Sequence, residues 1–97
     1  MIEIRQADDF KKWYDDLNKK IQGRISSRLE RISKFGHFGD VKSLGEGLCE
    51  LRWKNGWRIY FITLNKDCIL LIIGGNKNEQ EKNIKKARVF IRENRTH

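Results

Sequence analysis

Three cations, one phenol and one carboxylate in the middle of the chain are the residues best suited to chemistry. They are Glu50, Arg52, Arg58, Tyr60 and Lys77. Guanidinium and ammonium groups bind phosphate oxygens, and the guanidinium does so through a planar fork of N–H donors. This set therefore suits a phosphate-bearing ligand, provided that the fold brings both ends of the segment together.

The surrounding segment, residues 47–80, predicts a three-stranded antiparallel meander. Three strand-like runs are separated by turn signals at Asn55-Gly56 and at residues 65–67. A three-residue first loop ending at Gly56 keeps the apolar side chains on one face, whereas a two-residue loop would slip the register and mix the faces. The longer loop predicts an apolar face of Cys49, Leu51, Trp53, Trp57, Ile59 and Phe61 and a polar face of Glu50, Arg52, Arg58 and Tyr60.

The second turn predicts where the cations meet. A three-residue turn would pair Leu64 with Cys68, Ile62 with Leu70, Tyr60 with Ile72 and Arg58 with Gly74. A glycine beside Arg58 would leave a hollow on the polar face, and Lys77 follows as the chain leaves the strand. We therefore expect a cationic concavity made by Arg52, Arg58 and Lys77, with Tyr60 and Glu50 one row deeper.

Composition sets the broad class. The 97 residues are 38% hydrophobic, contain no proline, and carry a net charge of +8. They predict one domain, 1–97, large enough to fold without metal or disulfide. The charge favours a polyanion or an acidic protein as partner, with a merely solvated basic surface as the alternative.

Other features of the sequence predict the cellular compartment and whether a disulfide, metal or cofactor is used. The start of the chain lacks the basic and apolar pattern of a signal peptide, so we expect a soluble, cytoplasmic protein without a membrane partner. Cys49 and Cys68 fall on opposite faces of the predicted sheet, which disfavours a disulfide. The cysteines and the two histidines, of which His37 is read as an ordinary loop residue, lack zinc-ligand spacing, and we expect no cofactor.

Two helices and an edge strand are predicted before the meander. Met1–Arg5 alternates weakly and suits an edge strand. Asp8 or Asp9 can cap a first helix, and Asn18 a second helix that Gly36 ends. We expect this helical hairpin to cover the apolar face of the sheet. The first stripe is Phe10, Trp13, Tyr14 and Leu17, and the second is Ile21, Ile25, Leu29, Ile32 and Phe35.

The outer side of the second helix is basic. It carries Lys19, Lys20, Arg24, Arg28 and Arg31. These side chains, Arg24 and Arg28 foremost, could follow an RNA backbone or an acidic partner, and a solvated helix face is the alternative. Residues 37–47 read as a glycine-rich loop from which Lys42 could overhang the hollow and also contact RNA.

A third helix is predicted after the meander. Asn78 and Glu81 have the spacing of a capping box for a helix that runs to about Glu93. Its amino end would lie beside the hollow, where its free N–H groups favour an anion. The charged tail, residues 92–97, is expected to fray. The inward stripe is Ile84, Ala87, Phe90 and Ile91.

Taken together, these pieces resemble the RelE/ParE toxin superfamily of bacterial toxin–antitoxin modules, and most closely its HigB-like branch of addiction-module killer proteins. The matching pieces are the first helix around Phe10, Trp13 and Leu17, the loop Gly36-x-x-Gly39-Asp40-x-Lys42, Glu50-Leu51-Arg52, Trp57-Arg58 followed by Tyr60 or Phe61, Gly74-Gly75-Asn76-Lys77-x-x-Gln80, and Ile84 with Ala87. The resemblance implies an α+β fold with about four antiparallel strands, two amino-terminal helices and one carboxy-terminal helix.

The resemblance also implies an activity. RelE and HigB toxins cut messenger RNA on the ribosome and use arginine, lysine and sometimes tyrosine in place of a histidine pair. By position, Arg52 and Arg58 match the family's strand arginines, and Lys77 matches the basic residue after the last strand. The family commonly has aspartate at the position of Asn76, and RelE-type enzymes are more basic at that of Glu50, so the acid and base stay unassigned.

Partners and rival functions follow from the same resemblance. Toxins of this superfamily are held inactive by a small DNA-binding antitoxin encoded next door. One alternative function is that of ParE, a non-nuclease toxin that inhibits DNA gyrase. Another is a basic nucleic-acid-binding module without catalysis. Glu50 has two open interpretations, a proton acceptor or one half of a structural ion pair with arginine.

Overall fold

Five strands form one mixed sheet in the computed structural model, which describes residues 1–94. The strands are β1 (Glu3–Gln6), β2 (Val41–Gly45), β3 (Leu48–Arg52), β4 (Trp57–Asn65) and β5 (Cys68–Asn76). The helices are α1 (Asp8–Asp15), α2 (Lys19–Phe35) and α3 (Gln80–Glu93), with a 3-10 turn at Lys77–Glu79. The sheet order is β1-β5-β4-β3-β2. The predicted α+β class is confirmed, with one strand more than expected.

The additional strand is β2, which lies inside the segment predicted as a loop. Residues 41–45 pair antiparallel with β3, and Lys42 lies opposite Glu50. The loop prediction was wrong because β2 is a short, largely exposed edge strand. It follows Gly39 closely and ends at Gly45, two glycines of positive φ. Such a strand has no apolar alternation to reveal it. At the opposite edge, the predicted strand β1 is confirmed and runs parallel to β5.

The register of the first hairpin is as predicted, but that of the second is not. Glu50 pairs with Tyr60, and Arg52 pairs with Arg58. In the second hairpin Ile62 pairs with Leu70 as expected, yet the irregularities beside Tyr60 and Thr63 shift the pairing on both sides. The corrected pairs are Asn65 with Cys68, Tyr60 with Ile73 and Arg58 with Gly75. An Asx turn from Asn65 to Asp67 closes this tighter hairpin.

The helical hairpin begins and ends at identifiable residues. The Asn18 side chain accepts a hydrogen bond from the Ile21 amide at 3.0 Å, and Gly36 ends α2 with a φ of 69°. Both predictions are confirmed. The predicted cap of α1 was wrong, since Ala7 holds the capping position without a side-chain bond. Asp8 and Asp9 instead lie in the first turn, where their charge favours the positive helix end.

The hairpin covers one face of the sheet, as predicted. We call this face of the sheet the α2 face. The hydrophobic cluster in its centre is closely packed, and the ring centroid of Trp13 lies 6.0 Å from that of Trp57. The face is closed to solvent by side chains from both helices and from three strands. Its buried members are Phe10, Ile25, Ile32, Leu51, Ile59, Phe61, Ile69 and Leu71.

The opposite face, predicted as polar, is covered by α3, and we call it the α3 face. Leu48, Tyr60, Ile72, Ile73 and Ala87 form a second, smaller core there. The inward stripe of α3 is as predicted, since Ile84, Phe90 and Ile91 pack against this core.

The capping box lies two residues earlier than predicted. Asn76 and Glu79 form it around the 3-10 turn, and α3 then begins at Gln80. The last helical residue is Glu93, so the predicted fraying does not hold for residues 92 and 93, and residues 95–97 lie outside those described. No helix within residues 1–94 combines the length and the hydropathy needed to cross a bilayer.

Candidate functional site

The hollow that was expected beside Arg58 is filled. A Cβ atom on Gly74 would lie 2.2 Å from the Trp13 ring, and one on Gly75 would lie 2.2 Å from the Asn83 amide nitrogen. The space beside Gly74 is therefore occupied by Trp13 of α1, and the space beside Gly75 by Asn83 of α3. The prediction of a concavity was wrong because it treated the polar face as open, whereas α3 packs on it.

Arg58 lies at the end of the sheet that carries the β3–β4 turn, which we call the turn end. Its Nη1 group donates to the carbonyls of Trp53 and Trp57, each at 3.1 Å. Its Nε atom is buried and has no hydrogen-bond partner among the described residues. The Nη2 group makes no hydrogen bond within residues 1–94. The side chain is 16% exposed.

Lys77 and Arg52 lie at the same end. Lys77 is exposed, and its aliphatic stem crosses the turn, with Cδ 3.5 Å from the position of a Cβ on Gly56. Arg52 pairs with Arg58 in the register and therefore points to the same face. Its Nε is 3.4 Å from Asp40 Oδ2, at the surface. With Lys54, which lies in the turn itself and for which the sequence had predicted no role, the turn end carries four cations, of which Lys54 and Lys77 are exposed.

Glu50 and Tyr60 do not belong to the accessible part of the site. Both side chains are fully buried beneath α3. Burial raises the pKa of the Tyr60 phenol strongly, and the neighbouring Glu50 carboxylate raises it further. Tyr60 is therefore neutral at physiological pH, and neither group can touch RNA in this arrangement. Their direct catalytic assignment is corrected on this ground.

Glu50 is held mainly by a residue to which the sequence had given no role. Gln80 Nε2, from the first residue of α3, donates to Glu50 Oε2 at 2.7 Å. The same oxygen lies 3.9 Å from Arg58 Nε. The sequence contained one signal for this contact, because Gln80 precedes Ile84 and Ala87 by four and seven residues and so lies on the inward side of the helix.

Arg28, predicted to contact RNA, is a buried structural residue. Its side chain is 6% exposed and lies 4.3 Å from the Trp53 ring centroid. Its Nε and Nη2 donate to the carbonyl of Phe38, Nη2 also to that of Asp40, and Nη1 to that of Arg52. The prediction was wrong because the β2–β3 region folds back over α2 and supplies carbonyls to a side chain that was read as solvated.

The other predicted RNA contacts remain exposed. Arg24 lies on the outer surface of α2, and Lys42 lies on β2 beside Glu50. Lys42 does not overhang a hollow beside Arg58, because Asn83 fills the space at Gly75, but it points to the same face as the turn-end cations. Within residues 1–94, no group of three or more His, Cys, Asp or Glu side chains is arranged to hold a metal ion, and Cys49 and Cys68 are free thiols.

Sequence comparison identifies a family. A model described as "Phage derived protein Gp49-like (DUF891)" matches residues 12–95. A protein of Haemophilus influenzae, itself described as uncharacterized, is 36% identical over 95 residues, which is 95% of each chain.

Comparison of structures identifies the fold. The isolated RelE toxin of E. coli superposes with a TM-score of 0.67 at 11% identity, over 90% of this chain and 99% of that one. RelE–RelB of Methanococcus jannaschii gives 0.65 at 18%, over 81% and 96%. YafQ of E. coli gives 0.59 at 10%, over 82% and 98%. At these identities the likeness shows the RelE-like fold.

Proposed function

This chain belongs to the Gp49-like family, and from that membership and its RelE-like fold we propose that it is the toxin of a type II toxin–antitoxin module. Its activity is that of a messenger RNA endoribonuclease that acts on the ribosome in the cytoplasm, as in the HigB-like branch it resembles. Its partner is a small, acidic antitoxin encoded next door. The net charge of +8 suits both RNA and such a partner, and three solved structures with this fold are toxin–antitoxin complexes.

One observation carries the proposal, namely the state of Arg58. Two backbone carbonyls fix its Nη1 end, its Nη2 end makes no hydrogen bond within residues 1–94, and the side chain is partly exposed. A guanidinium anchored at one end and free at the other is preorganised to receive a phosphate oxygen. Lys77 and Arg52 supply further positive charge at the same end of the sheet.

The reaction uses the RNA's own nucleophile. The 2′-oxygen forms a bond to the adjacent phosphorus, the bond from phosphorus to the 5′-oxygen of the next nucleotide breaks, and a 2′,3′-cyclic phosphate remains. The 2′-hydroxyl proton passes to water, and the departing 5′-oxygen takes a proton from water. Arg58 and Lys77 neutralise the charge that accumulates on the phosphate oxygens in the transition state.

Replacing Arg58 tests the assignment. We expect Arg58→Ala to lower single-turnover cleavage of ribosome-bound messenger RNA by about 10²–10³-fold, the usual cost of one transition-state donor. Growth arrest on expression should be lost in parallel. Lys77→Ala should give a smaller loss, because the ammonium acts as a point charge. Lys11→Ala, an exposed cation on α1, is the matched control and should behave as the wild type.

A second measurement in expressing cells separates the nuclease from the rival function. The ParE-like alternative is favoured by one observation, that Glu50 and Tyr60, the two possible proton acceptors of this face, are both buried. If chromosomal DNA breaks before transcripts do in expressing cells, the nuclease proposal fails and gyrase inhibition replaces it. If Arg58→Ala cuts RNA as fast as the wild type, the site assignment fails.

A further inference from the structure

Four side chains between the sheet and α3 form a buried polar cluster whose bonding is incomplete. They are Glu50, Arg58, Tyr60 and Gln80. Three of their buried polar atoms, Glu50 Oε1, Arg58 Nε and Tyr60 OH, have no hydrogen-bond partner among the described residues. Buried polar groups are normally paired, because an unmade bond in a low-dielectric interior costs free energy. The cluster is held by the bond from Gln80 to Glu50, by the attraction between Glu50 and Arg58, and by the nearness of the Tyr60 hydroxyl to Glu50, which raises the pKa of Tyr60.

The geometry between Glu50 and Arg58 differs from that of a structural ion pair. A closed pair would bring both oxygens to the guanidinium at hydrogen-bond distance. Here Glu50 Oε2 takes its short bond, 2.7 Å, from Gln80 and remains 3.9 Å from Arg58 Nε. This distance is too long for a hydrogen bond but close enough for strong attraction between charges in a buried setting.

The effect is to hold Arg58 from behind without occupying its donors. The Glu50 charge attracts the Nε side of the guanidinium inward, while the carbonyls of Trp53 and Trp57 fix Nη1. Nη2 is left without a hydrogen bond within residues 1–94. If Glu50 came closer, it would draw the guanidinium into the cluster, and the short bond that Gln80 gives to the same oxygen, Oε2, competes with that approach.

We propose that Glu50 and Gln80 are positioning residues that aim the Arg58 guanidinium at the RNA phosphate. The inference rests on the proposed function, and it gives the buried carboxylate a role other than that of a base. Because the carboxylate touches no substrate, its loss should change the alignment of Arg58 and hence the rate of cleavage. It should leave the binding of RNA, which depends on exposed cations, nearly intact.

A double-mutant cycle tests this directly. Glu50→Gln keeps the size of the side chain and removes its charge. We expect it to lower kcat by about tenfold or more, as for a displaced transition-state donor, with KM within about twofold. In the Arg58→Ala background the same change should have no further effect, since two residues that act as one unit are not additive. An equal loss of kcat in both backgrounds, or no loss in either, overturns the proposal.

A second measurement does not depend on RNA cleavage. In ¹⁵N NMR spectra, the buried Nε–H of Arg58 should exchange slowly with solvent in the wild-type chain, and faster in Glu50→Gln and in Gln80→Leu. Gln80→Leu removes the donor that restrains Glu50 and serves if Glu50→Gln does not fold. Glu81→Gln, the same chemical change at an exposed site on α3, should leave both kcat and exchange as in the wild type.

These readouts separate two kinds of failure. Wild-type protein that cuts no RNA would refute the proposed function, whereas the exchange experiment would still decide on positioning. Exchange of the Arg58 Nε–H that stays equally slow in Glu50→Gln and Gln80→Leu, at unchanged free energy of unfolding, overturns the inference whatever the activity.

Discussion

Two arginines meet at Trp53 from opposite sides of the sheet, and they are held in different ways. Arg28 comes from α2, stacks on the Trp53 ring, and gives hydrogen bonds to the carbonyls of three residues. Arg58 comes from β4, bonds the Trp53 carbonyl, and leaves its Nε without a partner within residues 1–94. Both are largely buried, since Arg28 as a whole residue is 6% exposed and the side chain of Arg58 is 16% exposed.

The difference separates a structural cation from a functional candidate. Four of the five N–H donors of Arg28 are used within the fold, and burial lowers its pKa. Arg58 uses only its two Nη1 donors within residues 1–94. The lesson is that burial alone does not distinguish the two roles, whereas the number of unused donors does.

The largest expected effect comes from removing Arg28. Arg28→Met would remove the donors that the Phe38 and Arg52 carbonyls receive from Arg28, together with the stacking on Trp53, so we expect the free energy of unfolding to fall by about 3 kcal/mol. Urea denaturation measures this directly.

Arg24→Met is the matched control for this prediction. It makes the same chemical change one turn earlier on the exposed side of α2, and should stay within about 0.5 kcal/mol of the wild type. A stable Arg28→Met variant with weakened RNA binding would restore the solvated interpretation and remove the contrast between the two arginines.

A middle-sized effect is expected at the two glycines that lie between the faces. Gly74→Ala would force a methyl group into the Trp13 ring, which is packed against Phe10 and Trp57 at centroid distances of 5.6 and 6.0 Å. We expect a loss of about 1–3 kcal/mol in the free energy of unfolding. Gly75→Ala should cost less, because the Asn83 amide that it meets belongs to a short polar side chain that can rotate.

Gly23→Ala is the control for the substitutions of Gly74 and Gly75. Gly23 lies inside α2 with no atom within 4 Å of a new Cβ, so alanine there should stabilise by about 0.5–1 kcal/mol. Equal losses at Gly74 and Gly75 would mean that the α3 face is packed as rigidly as the α2 face, against the contrast drawn here.

These two glycines also show where sequence reasoning reaches its limit. Strand alternation and the Asn-Gly turn were enough to predict the first hairpin, its register and the helical cover of the apolar face. Those features follow from local chemistry and from a period of two. The second face could not be predicted, because Glu50, Arg58 and Tyr60 in alternate positions are typical of a solvated strand.

What the pattern could not indicate was the docking of α3 on that face. The bulges beside Tyr60 and Thr63 shifted the last pairs of the sheet, and no residue type announces a bulge in advance. Asn83 then filled the space that Gly75 had left. The candidate cations Arg58 and Lys77 were found nonetheless, since the turn geometry alone brings their strand ends together.

The smallest expected effect tests the least satisfied group of the α3 face. Tyr60 OH lies beside the Glu50 carboxylate without a well-aligned hydrogen bond among the described residues, so Tyr60→Phe removes at most a weak contact and should lower the free energy of unfolding at pH 7 by no more than about 1 kcal/mol. Growth arrest should persist, because a buried phenol that stays protonated supplies neither acid nor base to the RNA.

The variant should differ from the wild type only in alkali. The folded pKa of Tyr60 is raised above its ordinary value of 10.0, so the unfolded chain releases the phenolic proton first. The raised pKa therefore contributes stability that is fully present below the ordinary pKa of 10.0 and is lost as the pH rises from there through the folded pKa. Urea midpoints measured at rising pH should fall more steeply for the wild type than for Tyr60→Phe. Parallel curves would mean that Tyr60 ionises as readily in the folded chain, and that water reaches the buried polar cluster.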